Sequence, residues 1–180
     1  MDKTLDLSWD EIENYCRNLC SKIFEERIKY DVIVGIQRGG VIPGVILSHM
    51  LSVPDFYSIG IRTTEKENCR TRVPNAIVKS GMLTNFSNKN VLIVDDVTNT
   101  GLTLGIAKKE VERHNPRLIK TAAVIWDGKN SPDCPADIFA DYTPGWVTFP
   151  WETKIFDQLP ILIPTDSQMF IEKDSSSHNI

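Results

Sequence analysis

Four consecutive branched apolar residues, Val91-Leu92-Ile93-Val94, run directly into Asp95-Asp96-Val97 and then into Thr98-Asn99-Thr100-Gly101-Leu102-Thr103. No other stretch constrains the fold so tightly. An unbroken apolar run suits a strand covered on both faces, as in a parallel sheet, and the threonine-glycine cluster after it reads as a turn opening a helix near Leu102. The first turn of a helix carries unpaired N–H donors and the positive end of the helix dipole. With the hydroxyls of Thr98, Thr100 and Thr103 added, such a turn suits a phosphate monoester. Asp95 and Asp96 repel phosphate, so at the strand end they are placed to accept from ribose hydroxyls or to hold a divalent cation through oxygen. An ordinary strand and turn can also carry solvated acids. Here acids, threonines and glycine coincide at the carboxyl end of a strand, where open α/β sheets bind ligands.

This segment resembles the 5-phosphoribosyl-1-pyrophosphate (PRPP) motif of type I phosphoribosyltransferases, an apolar strand followed by two acids, a short spacer and Thr-Gly-x-Thr. A dinucleotide fold would want G-x-G-x-x-G after its first strand and a nucleotide triphosphatase G-x-x-x-x-G-K-[ST]; the chain has neither. The resemblance implies PRPP binding by Asp95, Asp96, Val97, Thr98, Asn99, Thr100, Gly101, Leu102 and Thr103, with Asp95, Asp96 and Asn99 at the chemistry and Mg2+ as cofactor.

Two further segments carry the resemblance. Arg38-Gly39-Gly40 follows the apolar run Val32-Ile33-Val34-Gly35-Ile36. Two glycines let backbone N–H groups turn toward a ligand and the arginine adds a planar donor fork, so the trio forms a pyrophosphate cradle. Glycine turns between strand and helix are common, and it is the position after the first sheet strand, similar to the family's pyrophosphate loop, that favours the functional reading. A non-proline cis peptide is expected between Arg38 and Gly39 or just beside it. The third segment is Trp146-Val147-Thr148-Phe149-Pro150-Trp151-Glu152. It is similar to the hood of xanthine-guanine and archaeal-type purine phosphoribosyltransferases. That likeness implies that Trp146 and Val147 touch the base through backbone groups and apolar stacking, and that Glu152 lies near pyrophosphate and a magnesium ion, so that the metal residues are Asp95 and Glu152. An apolar wall with a few placed polar groups suits a flat aromatic ligand.

Two positions depart from the family pattern. The place of Asn99 usually holds an aspartate that manages the proton at purine N7, whereas an amide cannot take a proton at neutral pH. The family's lysine that donates to the 6-oxo oxygen falls at about Asp127, after Trp126, with Lys129 two residues on. An acid there accepts from an exocyclic amine, which makes adenine or another amino-bearing base a candidate; a two-residue shift to Lys129 restores the 6-oxopurine reading. Asp127-Gly128 also reads as a plain turn.

Around these segments, Ser8-Trp9-Asp10-Glu11 reads as a capping box, and Ile12, Tyr15, Cys16, Leu19, Ile23 and Phe24 recur at helical spacing, predicting a helix from Trp9 that ends before Tyr30. Strands are expected at 32–36, 56–61, 76–79, 91–94 and 121–126, and helices at 41–51 and 102–114. The alternation predicts an α/β fold, a parallel sheet flanked by helices, with a small hood subdomain. Residues 1–171 read as one domain with a core at about 30–126 and a hood at about 127–165 plus the N-terminal segment. Residues 172–180 read as a disordered tail. The charged, aperiodic stretch 62–75 reads as a mobile loop over the site.

The 180 residues are 41% hydrophobic and 24% charged, with a net charge of −4, which offers nucleic acid no general attraction despite the local run Arg62, Lys66, Arg70, Arg72 and Lys79. Cys16, Cys20, Cys69 and Cys134 make no C-x-x-C pair and no zinc spacing with the histidines, so reduced thiols, with Cys16 and Cys20 packed inward, are expected. With no signal peptide and no apolar run near the roughly 18 residues of a membrane span, the chain is expected in the cytoplasm with no membrane partner. The resemblance implies PRPP and a nucleobase as substrates and a homodimer as assembly. A PRPP-binding regulator without transferase activity is the alternative that Asn99 keeps open. A winged-helix repressor would need an added domain, yet only about thirty residues precede the first apolar strand.

Overall fold

In the computed structural model of the protein, residues 4–63, 76–80, 85–128 and 135–152 are described. Two sheets and three helices make up this part. The main sheet has six strands, β2 (Val32–Gln37), β3 (Phe56–Thr63), β4 (Ala76–Ser80), β5 (Asn90–Thr98), β6 (Leu118–Trp126) and β7 (Ile138–Tyr142), in the order β4-β3-β2-β5-β6-β7. A second sheet pairs β1 (Thr4–Asp6) with β8 (Trp146–Thr148), in parallel, with Leu5 opposite Val147. The helices are α1 (Trp9–Glu25), α2 (Val41–Met50) and α3 (Leu102–Glu112), and Pro150–Glu152 forms one 3-10 turn.

The apolar runs behave as doubly covered strands should. On β2, Val32, Val34 and Ile36 join Leu104, Ala107 and Val111 of α3, with Val91 and Ile93 of β5 in the same cluster. Ile33, Leu92 and Val94 point the other way, to Leu19 and Ile23 of α1 and Leu47 of α2. The period-two alternation thus divides one run of branched residues between two helix layers. Helix α1 begins on its capping box, with the Ser8 N–H donating to Glu11 Oε2 at 2.7 Å and the Glu11 N–H to Ser8 Oγ at 3.3 Å. Its buried stripe is Ile12, Cys16, Leu19 and Ile23. Phe24, expected on that face, is 79% exposed, because a residue one step beyond the stripe is rotated about 100° around the helix. Cys16 is buried, and that burial pushes its thiol up to about 12.

β4 runs antiparallel to β3, against the expectation of a wholly parallel sheet. No helical pattern separates these strands in sequence, and antiparallel neighbours need no helical crossover. β7 lies within the stretch assigned to the hood, yet pairs in parallel with β6. Lys22 of α1 holds it there by donating to the Phe139 and Ala140 carbonyls at 2.8 and 3.0 Å. The expected loop at 62–75 lies outside the described residues except for its first two, which extend β3. The tail at 172–180 lies outside them too.

Strand order reverses between β2 and β5. The chain leaves β2 for β3 on one side, then returns to lay β5 on the other, and the carboxyl ends of β2 and β5 flank the switch. This is where an open α/β sheet leaves a crevice. The β2–α2 loop fits it only because Gly40 has no side chain: a Cβ there would stand 2.6 Å from the Val94 carbonyl oxygen and 2.8 Å from Asp95 Cα. Both are sheet backbone and cannot yield. We therefore expect Gly40→Ala to lose more than about 3 kcal/mol in urea unfolding. Gly105, exposed in α3 with nothing within 4 Å of its Cβ position, should gain about 0.4–1 kcal/mol as alanine. Equal midpoints for the two variants would contradict this account of the crevice.

Candidate functional site

The crevice holds a cavity of about 250 Å³ lined by Arg38, Gly39, Asp95, Asp96 and every residue from Val97 to Thr103, with Ile36, Gln37 and Ile61 completing the wall. Of the residues read from the sequence as PRPP-binding, only Gly40 stands outside the lining, pressed on the backbone of β5. The expected cis peptide falls just beside the glycine pair, at Gln37–Arg38.

The turn after β5 is built for close approach. Gly101 caps α3 in the left-handed region at φ +75°, and a Cβ there would meet Pro135 Cβ at 2.3 Å. Among the described residues no side chain caps the helix, and Gly101, Leu102 and Thr103 at its start line the cavity. Thr98 is buried and Thr100 exposed.

The two acids differ in setting. Asp95 is buried, and its Oδ1 accepts from the Asp96 N–H at 3.1 Å; Asp96 Oδ1 accepts from the Val97 N–H at 2.8 Å. Asp96 also faces Gly39, where a Cβ would sit 1.6 Å from Asp96 Oδ2. Glycine at 39 thus lets the loop lie on the carboxylate. Burial holds the Asp96 carboxyl above its ordinary value, and the negative charge of Glu152 adds to the rise, against hydrogen bonds with Val97 and Asp95. Glu152 accepts from the Phe149 N–H at 3.0 Å, so the 3-10 turn holds this carboxylate within electrostatic reach of Asp96.

The base-facing residues gather less completely. Asn99 lines the cavity and donates through Nδ2 to Asp127 Oδ2 at 2.6 Å. Asp127 Oδ1 accepts from the Gly145 N–H at 3.3 Å. Asp127 therefore binds the turn to the hood. Trp146 is 58% exposed, whereas the Val147 side chain sits in the core with Ile12, Val124 and Phe149. Trp126 packs between Phe139 and Tyr142, at 5.4 and 4.8 Å between ring centroids. Its indole N–H is buried without a hydrogen-bond partner among the described residues. Trp151 stacks on Phe149 at 4.7 Å and meets Trp9 of α1 at 5.8 Å, so the second hood tryptophan fastens the hood to α1. Lys129 lies outside the described residues.

Gln37 and Ile61 were not anticipated. Gln37 donates to Ser58 Oγ at 2.8 Å, across to β3. Gln37 ends β2 at the switch point, and that position is the signal that could have found it; Ile61 lies within β3, on the other side of β2, and no local signal marks it.

A parallel sheet with an anion turn, paired acids and a glycine loop at its switch point defines an α/β enzyme for a phosphorylated sugar. A family description reading "Phosphoribosyl transferase domain" matches residues 8–157, and the chain belongs to that family of transferases. It is 27% identical to the hypoxanthine-guanine phosphoribosyltransferase of Schizosaccharomyces pombe, over 84% of this chain and 90% of that protein. A purine phosphoribosyltransferase from Pyrococcus horikoshii superposes with a TM-score of 0.72 at 31% identity, covering 85% of this chain and 95% of that one. The xanthine-guanine-hypoxanthine phosphoribosyltransferase of Helicobacter pylori, at 17% identity and a TM-score of 0.70 over 87% and 98% of the two chains, shares the fold.

The raised Asp96 value has a measurable consequence. The folded chain holds this proton more tightly than the unfolded chain, so the linked stability is complete below the ordinary carboxylate range and is lost as pH rises through the raised value. Asp96→Asn should melt several degrees above the parent at neutral pH, with the gain vanishing at acid pH. A gain independent of pH would contradict the assignment.

Proposed function

We propose that the protein is a purine phosphoribosyltransferase that joins the 5-phosphoribosyl group of PRPP to a purine, releasing pyrophosphate and a nucleoside monophosphate. The observation that carries this reading is the single cavity wall shared by the glycine loop, the two acids and the threonine turn. The β1–β8 pair and the 3-10 turn form the hood over the base.

In this reading the turn from Thr98 to Thr103 grips the 5-phosphate with helix N–H groups and hydroxyls. Asp95 and Asp96 hold the ribose 2- and 3-hydroxyls, and Arg38 with the Gly39 backbone receives the pyrophosphate. Positive charge grows on the ribose ring as pyrophosphate departs, and the fixed carboxylates below it stabilise that charge. Trp146 and the Val147 backbone give the base its wall, and enclosure by the hood keeps water from the anomeric carbon.

The donor set fits magnesium. Among the described residues no three His, Cys, Asp or Glu side chains form a metal cluster, and magnesium typically takes one or two carboxylates plus substrate oxygens and waters. Asp95 and Glu152 would hold it, and a cation would relieve the mutual repulsion of Asp96 and Glu152. When bound it supplies charge neutralisation at the pyrophosphate.

Incubation with PRPP, magnesium and each of hypoxanthine, guanine, xanthine and adenine should release pyrophosphate and nucleotide in equal amounts for at least one base. Asp95→Asn should lower kcat/KM about 100-fold or more. PRPP binding without turnover of any purine would mark a PRPP-binding regulator and overturn the enzyme reading.

A further inference from the structure

The connection between β6 and β7 packs on the turn after β5. Gly101, the left-handed residue that opens α3, lies directly on Pro135: a Cβ at Gly101 would stand 2.3 Å from Pro135 Cβ and 3.0 Å from its Cγ. The Gly105 N–H donates to the Gly101 carbonyl at 2.8 Å, so the residue in this contact also accepts the first hydrogen bond of the helix. Gly101 lines the cavity and Pro135 is not among its lining residues. The proline ring therefore acts on a ligand only through the turn.

Pro135 belongs to a braced segment. Two residues on, the Asp137 N–H donates to Thr121 Oγ1 at 3.0 Å, and Thr121 donates to Asp137 Oδ2 from its N–H and from its hydroxyl, each at 2.8 Å. Thr121 is 4% exposed on β6, so water does not compete for these bonds. Between the two, Ala136 is buried in the cluster that holds Leu104 and Ala107 of α3. Three consecutive residues thus join the start of α3, its buried face and β6. Proline suits the first of these contacts, since its ring fixes φ and has no rotamer freedom to lose.

We infer that Pro135 is a positioning residue that holds the Gly101 turn, and with it the first N–H groups of α3, in place for a phosphate monoester; this rests on the reading above of that turn as the 5-phosphate site. Backbone donors bind an anion best when they are in place before it arrives, because ordering them afterwards subtracts from affinity. A phosphate must give up water for these donors, and a turn free to sink toward β7 would offer fewer of them. The contact falls on a glycine, so the ring meets backbone and no side chain on the turn can flex to absorb its loss. The other end of the cavity is placed differently: Gly39 lies on the Asp96 carboxylate and Gly40 on the backbone of β5. Loss of the Pro135 contact is therefore felt at the phosphate end alone. It removes binding that ground state and transition state share, which raises KM and leaves kcat.

The test is calorimetry with two ligands, ribose 5-phosphate for the threonine turn and magnesium pyrophosphate for the glycine loop. Pro135→Gly, which removes the atoms that lie on Gly101, should weaken ribose 5-phosphate about tenfold and leave pyrophosphate within about twofold of the parent. Pro135→Ala keeps the carbon nearest Gly101 and should stay within about threefold of the parent for both ligands. In turnover with PRPP, Pro135→Gly should raise KM about tenfold with kcat held within about twofold. Should Pro135→Gly fail to fold, Thr121→Val, which releases Asp137 at the other end of the brace, must weaken ribose 5-phosphate selectively in the same titration. A parent that does not bind ribose 5-phosphate overturns the inference, as does an unchanged ribose 5-phosphate affinity in the variant or an equal weakening of both ligands. Neither titration contains a base, so failure to turn over any purine would remove the transferase reading while binding alone still decides the role of Pro135.

Discussion

The close approach of two backbones at the switch point between β2 and β5 underlies everything else in the site. Gly39 lies on the Asp96 carboxylate and Gly40 on the Val94 carbonyl and Asp95 Cα, so the loop after β2 and the acids of β5 share one wall. A side chain at either glycine would force them apart, and the loop after β2 would no longer face the β5 acids. Packing decides this geometry. The branched residues of β2 and β5 are buried on both faces, so neither strand can shift to relieve a collision at its end.

The same closeness carries an electrostatic cost. Asp96 is raised by burial and by Glu152, a hood residue far away in sequence. Two carboxylates are thus held close enough to oppose each other's ionisation, a strain that a cation or a hydrogen-bond donor would relieve. Strain of this kind at the point of function, with ordinary packing elsewhere, is how natural folds depart from local consistency.

Much of the fold and most of the cavity wall at the switch point were legible in the sequence, for reasons the structure makes plain. The run Val91 to Thr103 encodes strand, acids, turn and helix start within thirteen consecutive positions, so only local rules were needed. The capping box at Ser8 was readable in the same way. What escaped was non-local. β7 is five residues, Ile138–Tyr142, with no run of branched apolar residues to mark it, and only its pairing with β6 makes it a strand. β1 and β8 are three residues each and exist because they pair with one another. The antiparallel β4 and the exposure of Phe24 likewise depend on what lies alongside. At the base-facing end, Asp127 was readable as an acid in a turn, but its partners Asn99 and Gly145 stand 28 and 18 residues away. No local pattern announces such a bridge.

The central claim is that the wall formed by the glycine loop, the β5 acids and the threonine turn binds PRPP. A crystal structure of the protein with PRPP and magnesium tests it most directly. The account predicts the 5-phosphate against the N–H groups and hydroxyls of Thr98 to Thr103, the ribose hydroxyls on Asp95 and Asp96, and the pyrophosphate at Arg38 and Gly39. PRPP bound elsewhere, or with its pyrophosphate in the threonine turn, would contradict it.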